Sequence, residues 1–223
     1  ICLVGSEMCI RDRVTATLGA LKMQLGEVEM AMGLLSESLE LDPYLSTAWS
    51  SWLHALYLQG SMELLEVEVA RARELLPDSA IPVGMEGLLM TVRREEGADA
   101  LLEASLKQEP NQPFLRSALA LLRRKEGRVD EAETLLLEEI ALSPPAIPAR
   151  RALVALYAEQ QRYTEQLEQL DVIFISRPPD HLDHHSRAQA LFNVARFEEA
   201  DAEVDRCMAC LLYTSDAADE VLG

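Results

Sequence analysis

The chain has 223 residues, with 38 acidic side chains against 20 basic ones and a formal net charge of −18. That balance argues against nucleic acid or an anionic membrane surface as the main partner. No apolar run reaches the roughly 18 residues that a membrane span requires, so no membrane span is predicted.

In chain order, the beginning is out of character with the long middle of the chain. Residues 2–13 read CLVGSEMCIRDR and residues 210–220 read CLLYTSDAADE, and neither fits the pattern between them. Met8 to Asp12 and the first base of the Arg13 codon can be encoded ATGTGTATAAGAGACA. The opposite strand, TGTCTCTTATACACAT, encodes Cys210 to Thr214 and the first base of a Ser215 codon. Two ends related by reverse complement resemble one sequencing adapter joined to both ends of a DNA fragment. Residues 1–13 and 210–223 are therefore expected to be non-native and are set aside from fold reasoning. The native part is expected to be an internal fragment, 14–209, with 33 acids against 18 bases, or −15. Of the four cysteines only Cys207 then remains, so the C-x-x-C formed with Cys210 falls away and no disulfide framework is expected. A lone thiol fits a reducing cytosol, and a cytoplasmic location is favoured.

Between the ends, helical periodicity is interrupted at regular points. First helices are predicted near 14–25, 46–59, 80–95, 113–125, 147–160 and 181–194. Second helices are predicted near 28–41, 62–75, 98–109, 129–142, 163–176 and 197–209. Residues 111–145 give the clearest unit. Phe114, Leu115, Ala118, Leu119 and Leu122 form one apolar stripe, and Arg123, Arg124 and Lys125 precede Gly127, a left-handed cap. Ala132, Leu135, Leu136 and Ile140 form the second stripe. Pro144 and Pro145 end it and bias Ser143 toward extended geometry.

That unit recurs. Prolines stand at 43, 77, 110, 144 and 178, with spacings of 34, 33, 34 and 34, and Gly26, Gly60 and Gly127 each stand 17 residues before one. A fixed period in this range marks a solenoid. The small and large residues fall in phase: Leu18, Gly19 and Ala31; Trp49 and Trp52; Gly87; Leu119, Ala120 and Ala132; Leu153 and Tyr157; Ala188, Phe197 and Ala200. On these residues the chain resembles the tetratricopeptide repeat (TPR) family. The resemblance covers nearly all of 14–209 and implies an all-α, right-handed superhelical solenoid of about six helix–turn–helix repeats. They fall near 14–44, 45–78, 79–111, 112–145, 146–179 and 180–209, with no linker and no second domain. Two departures are visible. The third repeat moves its glycine to Gly97, so its helices should be unequal, and the fifth has Gln161 where a turn glycine would fall.

The resemblance also implies a groove lined by the first helices and a convex, solvated face on the second. Acids such as Glu63, Glu66, Glu68, Glu131, Glu133, Glu138, Glu139, Glu198, Glu199 and Glu203 fall in second helices and read as a solubility surface. Carried over by phase, groove positions are Ala16, Ala20 and Met23; Ser50, His54 and Tyr57; Gly84 and Leu88; Ser117, Leu121 and Arg124; Arg151 and Ala155; and His185, Gln189 and Phe192. No acid is among them, and Arg124 and Arg151 are the only fixed charges. A largely apolar, mildly basic groove suits an extended or helical peptide of another protein carrying some acidic residues. The lysine and asparagine of the family's two-carboxylate clamp are not matched by Ala16, Ala20, His54, Leu88 or Leu121.

Asp180-His181-Leu182-Asp183-His184-His185 places three imidazoles at i, i+3 and i+4, a spacing that can present nitrogens to one metal ion. The motif lacks a metallohydrolase glutamate, and Asp180 reads more simply as an N-cap, so no metal and no cofactor are predicted. No nucleophile elbow, phosphate loop or paired-carboxylate arrangement rises above a Glu-rich helical background. The expected function is a non-catalytic protein–protein interaction scaffold. The alternative class is the recognition arm of a larger enzyme, such as a glycosyl- or sulfotransferase. Coding sequence beyond Cys207 separates the two: a continued 34-residue period favours the scaffold, an α/β pattern the enzyme.

Overall fold

The structure, a computed structural model, describes residues 7–24, 27–142 and 146–221, with side chains over 11–23, 27–142 and 146–211. Gly26, Ser143, Pro144 and Pro145 lie outside the described residues. Among the described residues there are twelve helices and no strand. None of the helices is long and apolar enough to cross a membrane. Two compact units divide the chain, 1–119 and 120–223, the division falling within a helix.

In the first unit the helices are α1 (Glu7–Gln24), α2 (Val28–Leu41), α3 (Ser46–Gln59), α4 (Met62–Leu75), α5 (Ala80–Arg93) and α6 (Ala98–Gln108). The helix α7 (Leu115–Lys125) carries the division, and α8 (Val129–Leu142), α9 (Ile147–Glu159), α10 (Tyr163–Ser176), α11 (His181–Asn193) and α12 (Phe197–Val221) complete the second. Both bounds of α2, α3, α4, α8 and α10 are those predicted. The third repeat has unequal helices, 14 residues in α5 against 11 in α6. Departures concentrate at the ends: α1 begins at Glu7 and α12 runs to Val221, crossing residues 13 and 209 without a break.

The helices stop for reasons written in the backbone. Pro43, Pro77, Pro110 and Pro178 each stand two residues after a helix end, at Leu41, Leu75, Gln108 and Ser176, where a missing N–H and a fixed φ forbid continuation. Helix pairs are joined by one recurring turn. Ser61 N–H donates to Leu56 O and Gly60 N–H to Tyr57 O, a Schellman pair. The same two bonds recur from Glu95 and Arg94, from Arg128 and Gly127, from Arg162 and Gln161, and from Arg196 and Ala195. The residue in the left-handed region is Gly60, Arg94, Gly127, Gln161 or Ala195, with φ of 77°, 61°, 78°, 60° and 61°. In the third repeat the turn therefore sits at Arg94, and Gly97 serves instead as the residue before α6, itself at φ 85°. A side chain at left-handed φ costs roughly 1–2 kcal/mol. The array accepts that cost three times to keep the turn geometry.

Where the first and second helices of a repeat cross, small residues let the backbones approach. A Cβ on Gly19 would lie 2.8 Å from Leu35 Cγ, and one on Gly87 would lie 3.0 Å from Leu102 Cγ. Ala31, Ala120, Ala132 and Ala200 are buried at equivalent places, and Trp49, Leu153 and Tyr157 fill the gaps between hairpins. Trp49 is wholly buried and donates its indole N–H to Pro43 O at 2.8 Å. Leu18, in phase with these, is instead exposed on α1, as is Phe197 on α12.

Candidate functional site

The first helices carry the predicted groove residues, and their surroundings differ sharply. In the first unit His54 is only 6% exposed. Its ring meets the edge of Phe114 at 5.6 Å between centroids, and Tyr57 meets the same ring at 5.7 Å. Phe114 reaches that place because its backbone takes φ 67°, which also delays the start of α7 to Leu115. Burial pushes the His54 imidazole down to about 4, against partial support from the Pro113 and Ser50 carbonyls. His54, a groove position by phase, is thus a buried histidine held neutral. Leu88, 2% exposed, and Gly84 are likewise buried. A Cβ on Gly84 would strike Leu115 and Ser105, which explains the glycine. Ser50 lines a cleft of about 400 Å³ with Ser46, Thr47, Ile81 and the 108–112 segment. Ala16 is buried, while Ala20, Met23 and Ser117 are half-buried.

In the second unit the prediction meets an open cleft. About 440 Å³ lies between α9 and α11, lined by Arg151, Val154, Ala155 and Ala158 on one side and by Leu182, Asp183, Ser186 and Gln189 on the other. Arg151, Ala155 and Gln189 are among the groove residues expected from the sequence; Gln166 on α10 is not. It is 1% exposed, its Nε2 faces Ser186 O at 3.4 Å, and its Oε1 is buried without a hydrogen-bond partner. Because Ser186 O can only accept, the amide nitrogen must face it, which fixes the orphan as an acceptor. The sequence signal for it is weak, since Gln169 lies three residues on in the same helix and only the phase of Gln166, one period after the buried Ala132, sets it apart.

The expected basic character is largely neutralised. Arg151 binds Asp183 with two nitrogens, at 3.0 and 2.8 Å, and also reaches Asp180. Arg177 donates to Asp183 Oδ2 at 2.5 Å. Asp180 is the N-cap predicted from the sequence and forms a capping box with Asp183. Partial burial alone would raise the Asp180 carboxyl, but Arg151, the Asp183 N–H and Arg177 hold it down to about 2. Arg124 comes within only 3.9 Å of Glu159 and stays a third exposed. Leu121, His185, Gln189 and Phe192 are exposed.

The three histidines of the 180–185 motif separate by face. His184 is buried with Nδ1 2.6 Å from Glu203 Oε2, His185 is exposed, and His181 accepts a contact from Cys207 Sγ at its carbonyl oxygen. Among the described residues no cluster of three His, Cys, Asp or Glu is arranged to hold a metal ion. Glu203 and Glu139, read as solvated from the sequence, are both buried. The other second-helix acids in that reading are exposed, apart from the partly covered Glu68 and Glu133. Tyr157 and Arg162 both bind Glu133, at 2.9 and 2.6 Å. Burial, with Glu133 beside it, pushes the Tyr157 hydroxyl up to about 12.

Antiparallel helix pairs, Schellman turns at a 33–34-residue period and small residues at the crossings of four repeats define a TPR-like helical-repeat fold. Solved structures agree. The chain is similar to the APC/C hetero-tetramer Cut9–Hcn1, with a TM-score of 0.70 and 16% identity over 90% of this chain. It is also similar to a tetratricopeptide repeat protein of Parabacteroides merdae, with a TM-score of 0.53 and 15% identity, over 89% of this chain and 78% of that one. A third likeness is to the human IFIT1 dimer with m7Gppp-AAAA, at 0.68 and 16% over 88% of this chain. This chain spans 40% of the Cut9–Hcn1 chain and 49% of the IFIT1 chain. No family model and no curated protein matches it.

Proposed function

We propose that the chain is a non-catalytic scaffold that holds a segment of another protein in the cleft between α9 and α11. The observation that carries this is the cleft itself, a concavity with apolar walls at Val154, Ala155, Ala158 and Leu182 and polar groups at Gln189, Ser186 and Gln166. Its size falls within the range of ligand sites, and its few polar groups suit backbone or amide contacts of a bound segment. One fold neighbour was solved with a capped RNA, but a net charge of −18 disfavours RNA for this chain. An acidic side chain in the segment would turn to Arg124, since Arg151 is engaged by two aspartates.

A random dodecapeptide phage library panned on the intact chain supplies the probes, measured afterwards by fluorescence anisotropy. Ala155→Trp fills the cleft and should weaken enriched peptides at least tenfold, whereas Glu168→Lys on α10 should leave them unchanged. Peptides indifferent to Ala155→Trp would remove the cleft reading. Acid-bearing peptides should also weaken on Arg124→Glu at low salt, an effect that added salt erases.

A further inference from the structure

The cleft beside Ser50 in the first unit has a chemistry of its own. Its walls are the first turns of α3 and α5, at Ser46, Thr47, Ser50 and Ile81, and the end of α6 with the segment after it, 108–112. Gln112 forms its buried side and is only 4% exposed. Ser105 Oγ donates its single proton to Ala80 O at 2.8 Å, so it can only accept from Gln112, whose Nε2 lies 2.8 Å away. The amide orientation is thereby fixed, and Gln112 Oε1 is a buried acceptor without a hydrogen-bond partner. Glu109 is half-buried at the same cleft. Ser79 Oγ comes no nearer to it than 3.4 Å, and among the described residues it makes no ion pair. None of the lining side chains is basic.

We infer that this cleft takes a lysine side chain of a partner protein, with the ammonium between Glu109 and Gln112 and the stem along Ile81 and Pro110. A buried acceptor without a donor is costly, so a donor is what Gln112 lacks. The unpaired carboxylate of Glu109 favours a charged donor over a neutral amide, because a charge-assisted hydrogen bond is the stronger one. The net charge of −18 draws basic segments toward the chain in the same sense. The first turn of α3, where Leu45 supplies no side-chain cap, pulls toward an anion instead. That pull acts at an exposed helix end, where water and salt weaken it, whereas Gln112 lies inside. The cleft shares no residue with the one between α9 and α11, so either can act without the other.

The probe is the capped tripeptide acetyl-Gly-Lys-Gly-amide, titrated into the full ¹⁵N-labelled chain at low salt. The readout is the side-chain amide resonance of Gln112, assigned by its loss in Gln112→Met. A saturable, millimolar shift is expected, with none from the same tripeptide carrying norleucine, acetyl-lysine or glutamate. Glu109→Gln should weaken binding roughly threefold, as for a half-exposed pair. Thr47→Trp, which fills the mouth from an exposed position without changing charge, should abolish it, and Thr47→Ser should leave it unchanged. Circular dichroism of each variant confirms that the chain stays folded. Absence of a lysine-dependent shift overturns the proposal, and so does a shift unmoved by Thr47→Trp, which would report attraction to the acidic surface at large. A saturable response to the acetyl-lysine or glutamate peptide in place of lysine overturns it too, assigning the cleft to a neutral amide or to a carboxylate.

Discussion

The two units build the same helix pairs and close them by different means. In the first unit, α3 is sealed by rings: Phe114 lies against His54 and Tyr57, and the histidine is held neutral. In the second, α9 is tied to α11 by charge, with Arg151 and Arg177 sharing Asp180 and Asp183. Ion pairs of the first unit such as Arg11–Glu37 and Arg93–Glu66 lie in water, whereas Asp183, Glu203 and His184 in the second are buried partners. The difference teaches that the repeat period dictates backbone geometry and leaves the chemistry of each seam free. It also makes the seams respond oppositely to conditions: an apolar seam ignores salt and fails when its imidazole is protonated, and an ionic seam fails when a carboxylate is removed.

The largest test of that contrast is Asp183→Ala. It strips a buried acid from two arginines and breaks a capping box. The expected loss is about 3 kcal/mol, at the low end for a broken buried pair because both arginines still reach water. Trp49 and Trp52 both belong to the first unit. Their fluorescence in urea should keep its midpoint while far-ultraviolet circular dichroism acquires an earlier transition. Coincident shifts of both signals would mean that the seams are not independent.

Acid should act next, and on the other unit. The folded His54 pKa of about 4 lies below the unfolded value of about 6.5. The contribution is therefore complete above pH 6.5 and fades as pH falls toward 4, by about 3 kcal/mol at most. The tryptophan midpoint should follow that curve, and His54→Leu should flatten it. Asp180, held at about 2, keeps its contribution above about pH 4 and loses it only as pH falls through 2, so the ionic seam should outlast the aromatic one down to that range. Smaller again, Gln161→Gly should raise the circular dichroism midpoint by about 0.5–1 kcal/mol, by relieving a left-handed side chain. Gly127→Ala should lower it by a similar amount. Arg93→Ala, which removes a solvated pair, should leave the tryptophan midpoint where it was.

Most of the helix map is legible in the sequence because prolines and caps are local signals. Pro43 and Pro77 set the ends of α2 and α4 without reference to anything distant. The groove is legible only in part, since phase tells which way a residue points and not what comes to cover it. His54, placed in the groove by phase, is covered by Phe114, sixty residues on, through a backbone angle no pattern announces. Arg151, placed there by phase as well, is paired with Asp183 of the following repeat. Glu203 reads as one more acid on a wet face, yet His184 lies against it. In each case the deciding contact joins residues 19 to 60 positions apart, beyond the reach of helical periodicity.

The uneven chemistry of the five described turns has a kinetic corollary. In a repeat array folding can begin in any hairpin and spread to its neighbours. The hairpins α3–α4 and α7–α8 close on Gly60 and Gly127, while α5–α6, α9–α10 and α11–α12 close on Arg94, Gln161 and Ala195. A handicap of about 1 kcal/mol in the closing step slows nucleation roughly fivefold. Among the described turns, those at Gly60 and Gly127 are therefore the preferred seeds, from which order would spread outward to the slower ones.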